Sequence, residues 1–486
     1  MVVIVAIANF LVAMVPALVL RPAFGDRDVV LRVGIYVLIA TILAFLIPYP
    51  LAPVFFLALG CLAAFMSGKQ PLAIFFAAFL YALPATLNWN IPFPGVNYLV
   101  NLNPLFVLSV ALLPTLLRDK FSWSSGGTTA CVVLFVLLSW VLNLREYTQS
   151  PTNALRELIV AVVTIIVPYL VIRKSLSDPR RLTLAVTAFA VCIFFVTLVA
   201  WWSAIRGWLF YLHMPLNYFD YKIFGTLSRG GSMRFLAATN FVETPLLIAM
   251  AGMASLWLRA TWPKGILNYA WLALVPVAVV AAGGRGGLLA ALIAFAAYIF
   301  LRYFPKGLRM VGYVGAIIAA IIAFPIVLTA DFSFIDPYGT FKYRQDLLST
   351  ALTRLSQTFW FGDANYETHP IFDANRQGQG IVDFVNAYVQ VGLANGVIGL
   401  GLLLGMMVLP FRLALKTAYG ADPGLFGDQV NARNLGFGIA AAIVANAVMI
   451  MTVSEISHIG YFKYLIAAFA VAYHGAVRKA QDEAST

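Results

Sequence analysis

Apolar stretches recur along almost the whole chain, separated by short polar segments. Runs near 2–20, 30–47, 51–67, 71–87, 99–117, 128–144, 155–172, 182–204, 236–258, 266–282, 286–301, 310–329, 385–410, 435–453 and 460–476 make fifteen candidate spans. A bilayer crossing needs ~20 apolar residues in a helix, and most of these runs approach that length. Allowing for re-entrant or partial spans, the pattern predicts an all-α, polytopic integral membrane bundle of about 12–15 transmembrane helices. Two long polar segments interrupt it, at about 205–235 and 330–384, both rich in Tyr, Phe and Trp as well as charge. From Thr340 to Phe359 apolar residues return at helical spacing, which predicts a short amphipathic helix near the membrane surface. No internal repeat or low-complexity linker divides residues 1–486, so the chain reads as a single membrane domain with the 330–384 loop inside it.

Composition agrees. Hydrophobic residues make up 62% of the 486 and charged residues 11%, whereas a soluble domain carries about 25% charge. A soluble enzyme and a disordered tail are both excluded. Cys61, Cys131 and Cys192 lie inside apolar runs without metal-ligand or disulfide spacing, and read as small core hydrophobes. No basic segment precedes the first apolar run, so a cleaved signal peptide is not expected.

The net charge of +12 would raise the question of nucleic acid in a soluble protein. In a polytopic one it points to the positive-inside bias of the loops. The loops at 21–32, 69, 118–120, 173–181, 259–264, 302–309, 412–433 and 478–483 carry twenty of the 32 Lys and Arg and eight of the 20 acids. The whole excess therefore sits on alternate loops, which are assigned to the cytoplasm. The 205–235 and 330–384 segments then face outward, as do the N-terminus, if all fifteen spans cross, and the ends of several spans.

That outward face should be poor in cations, yet Arg229, Arg234, Arg285, Arg344, Arg354 and Arg376 all fall there. A guanidinium grips phosphate through a planar fork and stays charged near a membrane, so the set, and Arg234, Arg285 and Arg344 above all, points to an anionic ligand such as a lipid phosphate or pyrophosphate. The plain alternative for any one of them is an ion pair with a local acid or headgroup. Arg285 lies in Gly283-Gly284-Arg285-Gly286-Gly287, where glycines permit a tight turn and close backbone approach to an oxyanion, or simply close helix packing. No Lys-Ser/Thr follows, so this is not a P-loop, and a single copy at a helix turn is not an RNA-binding tract. Asn240 and Glu243 follow Arg234 into an apolar span, where a carboxylate faces a cavity or a partner. Asp383, Asn386 and Gln390 stand at i, i+3 and i+7 and would share one helical face, with Asp383 a candidate general base, a helix N-cap, or both. His369 is a second candidate base; Glu455 and His458 are weaker ones. The four histidines show no zinc-site spacing, and no metal or other cofactor is expected.

Taken together, Arg234 to Asn240 entering a span, GGRGG at 283–287, Tyr343-Arg344 in the long loop, and Asn386-Ala387-Tyr388 followed by Gly396-Val397-Ile398-Gly399-Leu400 resemble the O-antigen ligase and polymerase superfamily, which includes Wzy-type polysaccharide polymerases. The resemblance runs from about Arg234 to Leu403. Many ligases of this group carry His directly before the Asn of the last motif; here that position is Val385, and Asp383 lies three residues ahead, similar to a variant associated with exopolysaccharide polymerisation.

The resemblance implies a GT-C-like membrane glycosyltransferase of the bacterial inner membrane with a periplasmic site. Its implied donor is an undecaprenyl-diphosphate-linked glycan and its acceptor a second glycan. Arg234, Arg285 and Arg344 would hold the leaving diphosphate and Asp383 would orient or deprotonate the acceptor. Lys222, Asn240, Glu243, Tyr343, Arg354, His369, Arg376, Asn386 and Tyr388 are expected to bind substrate. Membrane lipid and a chain-length-regulating co-polymerase are the implied partners; nucleic acid is not. Polymerisation of repeat units is the first reading, ligation of a finished glycan to lipid A–core or another acceptor the second. A lipid-linked oligosaccharide flippase is the rival of another class, but it favours inverted repeats and broken mid-membrane helices, which are not evident. A passive scaffold leaves the outward arginines unexplained.

Overall fold

Runs long and apolar enough to cross a bilayer become helices here because lipid offers no partner for a free N–H or C=O. The computed structural model describes residues 35–36, 38–40, 42–43, 46–47, 51–68, 71–72, 75, 89–92, 98–118, 126–144, 151–185, 285–329, 340–376, 380, 382–427, 431–452 and 459–486, with the backbone alone at 228–229 and 232–233. The helices considered below are α1 (Ala52–Met66), α2 (Pro104–Arg118), α3 (Gly127–Asn143), α4 (Pro151–Ser175), α5 (Arg285–Tyr303), α6 (Lys306–Thr329), α7 (Thr340–Gln357), α8 (Ala387–Gly420), α9 (Ala432–Met451) and α10 (Ile459–Ser485). Among the described residues α4, α5, α8 and α9 are long and apolar enough to span a membrane, and α1 to α3 are shorter apolar helices. The protein is thus an all-α polytopic membrane protein, as the hydropathy predicts. The candidate spans at 2–20, 182–204, 236–258 and 266–282 lie wholly or mostly outside the described residues.

Boundaries moved where polar chemistry intervenes. The run from 99 begins not as helix but as a two-residue ladder, Trp89–Asn90 (β1) against Asn101–Leu102 (β2), stitched by an Asn101 to Asn90 side-chain bond of 2.7 Å. Asn103 then accepts from the Phe106 N–H and starts α2. A second ladder pairs Ser228–Arg229 (β3) with Ser232–Met233 (β4). In α4 a π-turn at Val162–Ile166 precedes Pro168, whose ring cannot donate to the carbonyl four residues back. The last helix continues well past the apolar run, to Ser485.

α5, α8 and α10 pack around α9, most of whose side chains are buried, while α4 packs on α10 and α2. Small residues let the backbones close in: a Cβ on Gly436 would fall 2.5 Å from the Tyr473 hydroxyl and 2.7 Å from Ala418 Cβ. Cross-helix bonds sort the helix termini into two ends. At one, Tyr419 donates to the Leu301 carbonyl (3.0 Å), Tyr473 to Ala432 (2.9 Å), and Lys479 pairs with Asp178 at 2.7 Å. At the other, Trp140 donates to Ala154 (2.8 Å), Asn395 to Ser139 (3.0 Å) and Tyr388 to Ala447 (3.0 Å). Arg173, Arg302, Lys306, Arg309, Lys416, Arg433 and Lys479, all grouped by loop alternation, share the first end, called here the basic end. Lys463, 3% exposed in the first turns of α10, is a buried ammonium set over the rings of Phe135 (5.4 Å) and Tyr464 (5.0 Å).

α8 would reach ~51 Å if unbroken, well beyond a ~30 Å hydrocarbon core. It is broken at Gly396, whose backbone (φ 66°, ψ −167°) lies in a region open essentially to glycine alone. The turn after α7 fills the gap with its own backbone. Asp363 N–H donates to the Leu393 carbonyl (2.7 Å), while Val397 and Ile398 N–H groups donate to Phe359 (2.8 Å) and Trp360 (3.4 Å). Gly362 and Gly396 face each other so closely that a Cβ on either would sit 2.3 Å from a carbonyl oxygen of the other strand.

Gly396→Ala should therefore destabilise the purified protein by at least the ~1–3 kcal/mol of the disfavoured backbone region. Gly401→Ala, five residues on with open space around it, should be neutral or gain up to ~1 kcal/mol; equal melting temperatures for the two variants would exclude the clasp. The Asp178–Lys479 pair makes a second test. Partial burial pushes Asp178 up, but hydrogen bonds from Lys479 and from Arg181 N–H, with the field of both cations, leave its carboxyl below the ordinary 3.8. A lowered carboxylate pKa adds stability above its unfolded value and loses it as pH falls through the folded one. Lys479→Met should cost ~0.2–1 kcal/mol at pH 7, since the pair is partly exposed. The difference from the parent should close as the pH is taken below 3.8.

Candidate functional site

The loop predicted to be long and polar has a core of its own. Leu347 and Ala351 of α7 pack with Tyr366, Phe372, Phe384 and Leu393 in a cluster separate from the main core. Phe384 meets Tyr366 and Phe372 edge-on, at 5.1 and 5.2 Å between ring centres. α7 is the amphipathic helix expected from Thr340 to Phe359, ending two residues early. Two 3₁₀ turns, Tyr366–Thr368 and Pro370–Asn375, follow it. These pieces stand against the start of α8, at the end of the bundle opposite the basic one.

Tyr343 ties them together. Its hydroxyl donates to the Asn375 carbonyl (3.1 Å) and accepts from the Asp383 N–H (3.2 Å), so α7, the 3₁₀ turns and the irregular 382–386 segment meet at one oxygen. Asp383 is half-buried there. It is not the N-cap of α8, nor does it share a helical face with Asn386 and Gln390. The helix begins at Ala387, and the cap is Asn386, whose side-chain oxygen accepts from Tyr388 N–H (2.9 Å) and Val389 N–H (3.2 Å). The sequence offered Asp383 as the cap, but Asn386, three residues on and nearer the apolar run, took the role. Asp383 is thereby relieved of capping.

The arginines divide. Arg344, next to Tyr343 on α7, is exposed and has no hydrogen-bond or ion-pair partner among the described residues. Arg354 is half-buried, paired with Asp363 and bonded to Gln357 (3.0 Å), and its Asp363 partner is the residue whose N–H enters the α8 break. Arg376 binds Asp373 at 2.9 Å and the Gly380 and Glu367 carbonyls at 3.0 Å each, closing the loop on itself. Both guanidinium groups hold the scaffold. Arg285 opens α5 at this same end, with Gly286 and Gly287 inside the first helical turn rather than in the tight turn expected of them. Its side chain, and all of Lys222, Arg234, Asn240 and Glu243, lie outside the described residues.

His369 is also engaged. Its Nδ1 accepts from Ile371 N–H (3.2 Å) at the start of a 3₁₀ turn, which puts the proton of a neutral ring on Nε2. Acting as a base would cost that cap. Tyr388 points into the bundle, donating to Ala447 and touching Met407 sulfur at 3.4 Å, and so fixes α8 to α9. Among the described residues no three His, Cys, Asp or Glu side chains gather as a metal site would need.

Three features were not foreseen: the Gly362–Gly396 clasp, the Asp363 link, and the exposed run Phe359-Trp360-Phe361 beside it. An Asn-Gly pair inside an apolar span, Asn395-Gly396, was the available signal for a break. The aromatic run is of the kind that seats at a membrane interface.

Residues 269–404 match the family model Wzy_C, described as O-Antigen ligase. The match bears out the resemblance read from the residues and supports a membrane enzyme of the ligase and polymerase type. It takes in α5, α7, the loop core, the clasp and the break in α8; Arg234 to Asn240 precede it. No curated protein matches the chain.

Tyr343→Phe keeps the ring in the loop core and removes one shared hydroxyl. It should cost ~1–3 kcal/mol, two ordinary hydrogen bonds, and speed proteolysis between 365 and 385 while the bundle stays intact. Unchanged cleavage there would show that the hydroxyl does not hold the loop.

Proposed function

We propose that this protein is a glycosyltransferase of the bacterial inner membrane that polymerises oligosaccharide repeat units carried on undecaprenyl diphosphate, working at the periplasmic face. The observation that carries the reading is a coincidence of place. The O-antigen ligase match takes in Arg285, Tyr343, Arg344, Asp383 and Asn386, which all stand at the end of the bundle opposite the one rich in cations, as well as Arg302, Lys306 and Arg309 of the cation-rich end. By the positive-inside rule the cation-rich end is cytoplasmic and this one is periplasmic.

In the proposed reaction an acceptor sugar hydroxyl attacks the anomeric carbon of the donor from the face opposite the diphosphate. The new C–O bond forms as the bond to the diphosphate oxygen breaks, so the anomeric configuration inverts. The electron pair leaves with undecaprenyl diphosphate, and the hydroxyl proton passes to Asp383. No metal is required if guanidinium groups take up the charge on the departing oxygens. Arg344 supports this part because it is exposed and uncommitted; Arg234 and Arg285 complete the clamp, with Lys222, Asn240 and Glu243 near the acceptor or donor. Fixed donors aimed at developing charge are each worth ~2.7–4 kcal/mol, and a placed general base ~10²–10⁴ in rate. Arg354, Arg376, His369 and Asn386 serve by holding the loop in shape. A co-polymerase that sets chain length is the proposed protein partner.

The second reading is a ligase that transfers a finished glycan to lipid A–core or another acceptor, and the description of the matched family favours it. A deletion strain separates the two: loss of a polymerase leaves single repeats, loss of a ligase leaves long chains on the carrier. In that strain Arg234→Lys, Arg285→Lys and Arg344→Lys should each cut polymer yield ~10²–10³-fold, because an ammonium lacks the fork. Polymer of near-parental length from all three would refute the clamp. Purified protein should lengthen a synthetic polyprenyl-diphosphate oligosaccharide, read by gel and mass spectrometry, and Asp383→Asn should slow it ~10²-fold or more.

A further inference from the structure

A second arginine cluster lies at the basic end, remote from everything above. Arg302 at the end of α5, Arg309 in the first turn of α6 and Arg433 in the first turn of α9 line one cavity of about 310 Å³. Asn431, Asn434 and Tyr419 line it too, and among the described residues no carboxylate does. The volume is at the lower end of small-ligand pockets, ~300–1,000 Å³.

Three guanidinium groups lining one cavity repel one another, most of all the half-buried Arg302 and Arg309 and less the exposed Arg433, and an anion entering the cavity relieves that repulsion. Their partners among the described residues are all neutral. Arg302 donates to the Tyr298 hydroxyl (2.8 Å) and lies 4.8 Å from the Tyr303 ring centre. Arg309 donates to the Leu301 carbonyl (3.0 Å) and sits over Tyr419 at 4.3 Å, while the Tyr419 hydroxyl is itself fixed to that same carbonyl. Arg433 donates through Nε to the Ala421 carbonyl (3.2 Å), which leaves the two Nη groups of its fork for another acceptor. Asp422, the described acid of the adjoining turn, accepts from the Gly424 N–H (3.4 Å) and lines no part of the cavity. The forks are thus held in place by carbonyls and rings before any ligand arrives, a preorganised arrangement for a phosphate. The α9 terminus beside Arg433, capped by Asn431 (2.9 Å to Asn434 N–H), adds the positive end of a 20-residue helix. Basic pockets between transmembrane helices take up anionic headgroups in this way.

We infer that this cavity is a binding site for a phosphate group, carried either by an anionic lipid headgroup or by a soluble phosphorylated molecule. Nothing in the inference depends on the glycosyltransferase reading. The test uses the intact protein in nanodiscs. Phosphatidylcholine discs, the same discs with inorganic pyrophosphate added, and discs containing phosphatidylglycerol are compared by thermal midpoint and by native mass spectrometry of retained lipid. Phosphatidylglycerol raising the midpoint by several degrees and being retained assigns the headgroup. A saturable shift with pyrophosphate in phosphatidylcholine discs assigns the soluble source. In either case Arg309→Gln with Arg433→Gln should weaken binding at least tenfold. Arg309→Lys, which keeps the charge and the fold but not the fork, should weaken it about threefold and serves if the double variant fails to assemble. No binding by the parent protein in either arm overturns the site. So does binding that survives these variants but is lost in Arg344→Lys, since the ligand would then sit at the other end.

Discussion

The constraint on which the site depends is the hydrogen-bonding demand of α8 where it breaks. A helix interrupted at membrane depth exposes N–H and C=O groups that lipid cannot satisfy. Here the missing partners come from a loop. The Leu393 carbonyl and the Val397 and Ile398 N–H groups are completed by the backbone of 359–363. Only two facing glycines allow the chains to come that near, because a methyl on either would overlap a carbonyl of the other. The loop and the spanning helix are thereby one structural unit. Arg354 reinforces the joint from α7 through Asp363.

Charge geography complements this joint. Most of the fixed cations of the described bundle collect at its other end, where ion pairs and ring contacts hold some of them, while Arg156, Arg285 and Lys463 stand at the clasp end. Arginine at the clasp end is therefore unusual, and the structure separates two uses of it. Arg354 and Arg376 are matched by Asp363 and Asp373 and fasten the loop. Arg344 is matched by no described group and faces outward beside the Tyr343 junction. An unmatched guanidinium next to a rigid junction is suited to an external anion in a way that a matched one is not.

Much of the fold was legible because a bilayer imposes a coarse rule. Helix length and apolarity alone located α1, α3, α5 and α9 to within a few residues, and the start but not the end of α8, which runs ten residues past its apolar stretch; a 3.6-residue period located α7 in an otherwise polar loop. Loop charge alternation brought together Asp178 and Lys479, 301 residues apart. What escaped depended on contacts between segments. Whether Asp383 or Asn386 caps α8 turns on where the preceding chain is pinned, and the pin is a hydroxyl forty residues earlier. Gly362 and Gly396 look like unrelated glycines until the turn and the break are seen to face each other. The ladder at 89–102 carries only two residues a side, too short for a period to register.

This division explains why the candidate site could be named residue by residue while the part each residue plays in the scaffold could not. Arg, His, Asp and Asn were chosen for their chemistry, but the same chemistry builds caps, ion pairs and loop closures. The loop is less apolar than the bundle and its core is small, so polar side chains do part of the work that packing does in the bundle. His369 and Asn386 were taken up as caps and Arg354 and Arg376 as ties. The groups left for a substrate are those the scaffold does not consume. Because the scaffold is anchored through the α8 break, a change at Gly362 or Gly396 would move Tyr343 and Asp383 together while touching neither. Loss of activity at a clasp glycine therefore reads as misplacement of the loop, and only a loss at Arg344 with the loop intact reads as loss of the anion grip.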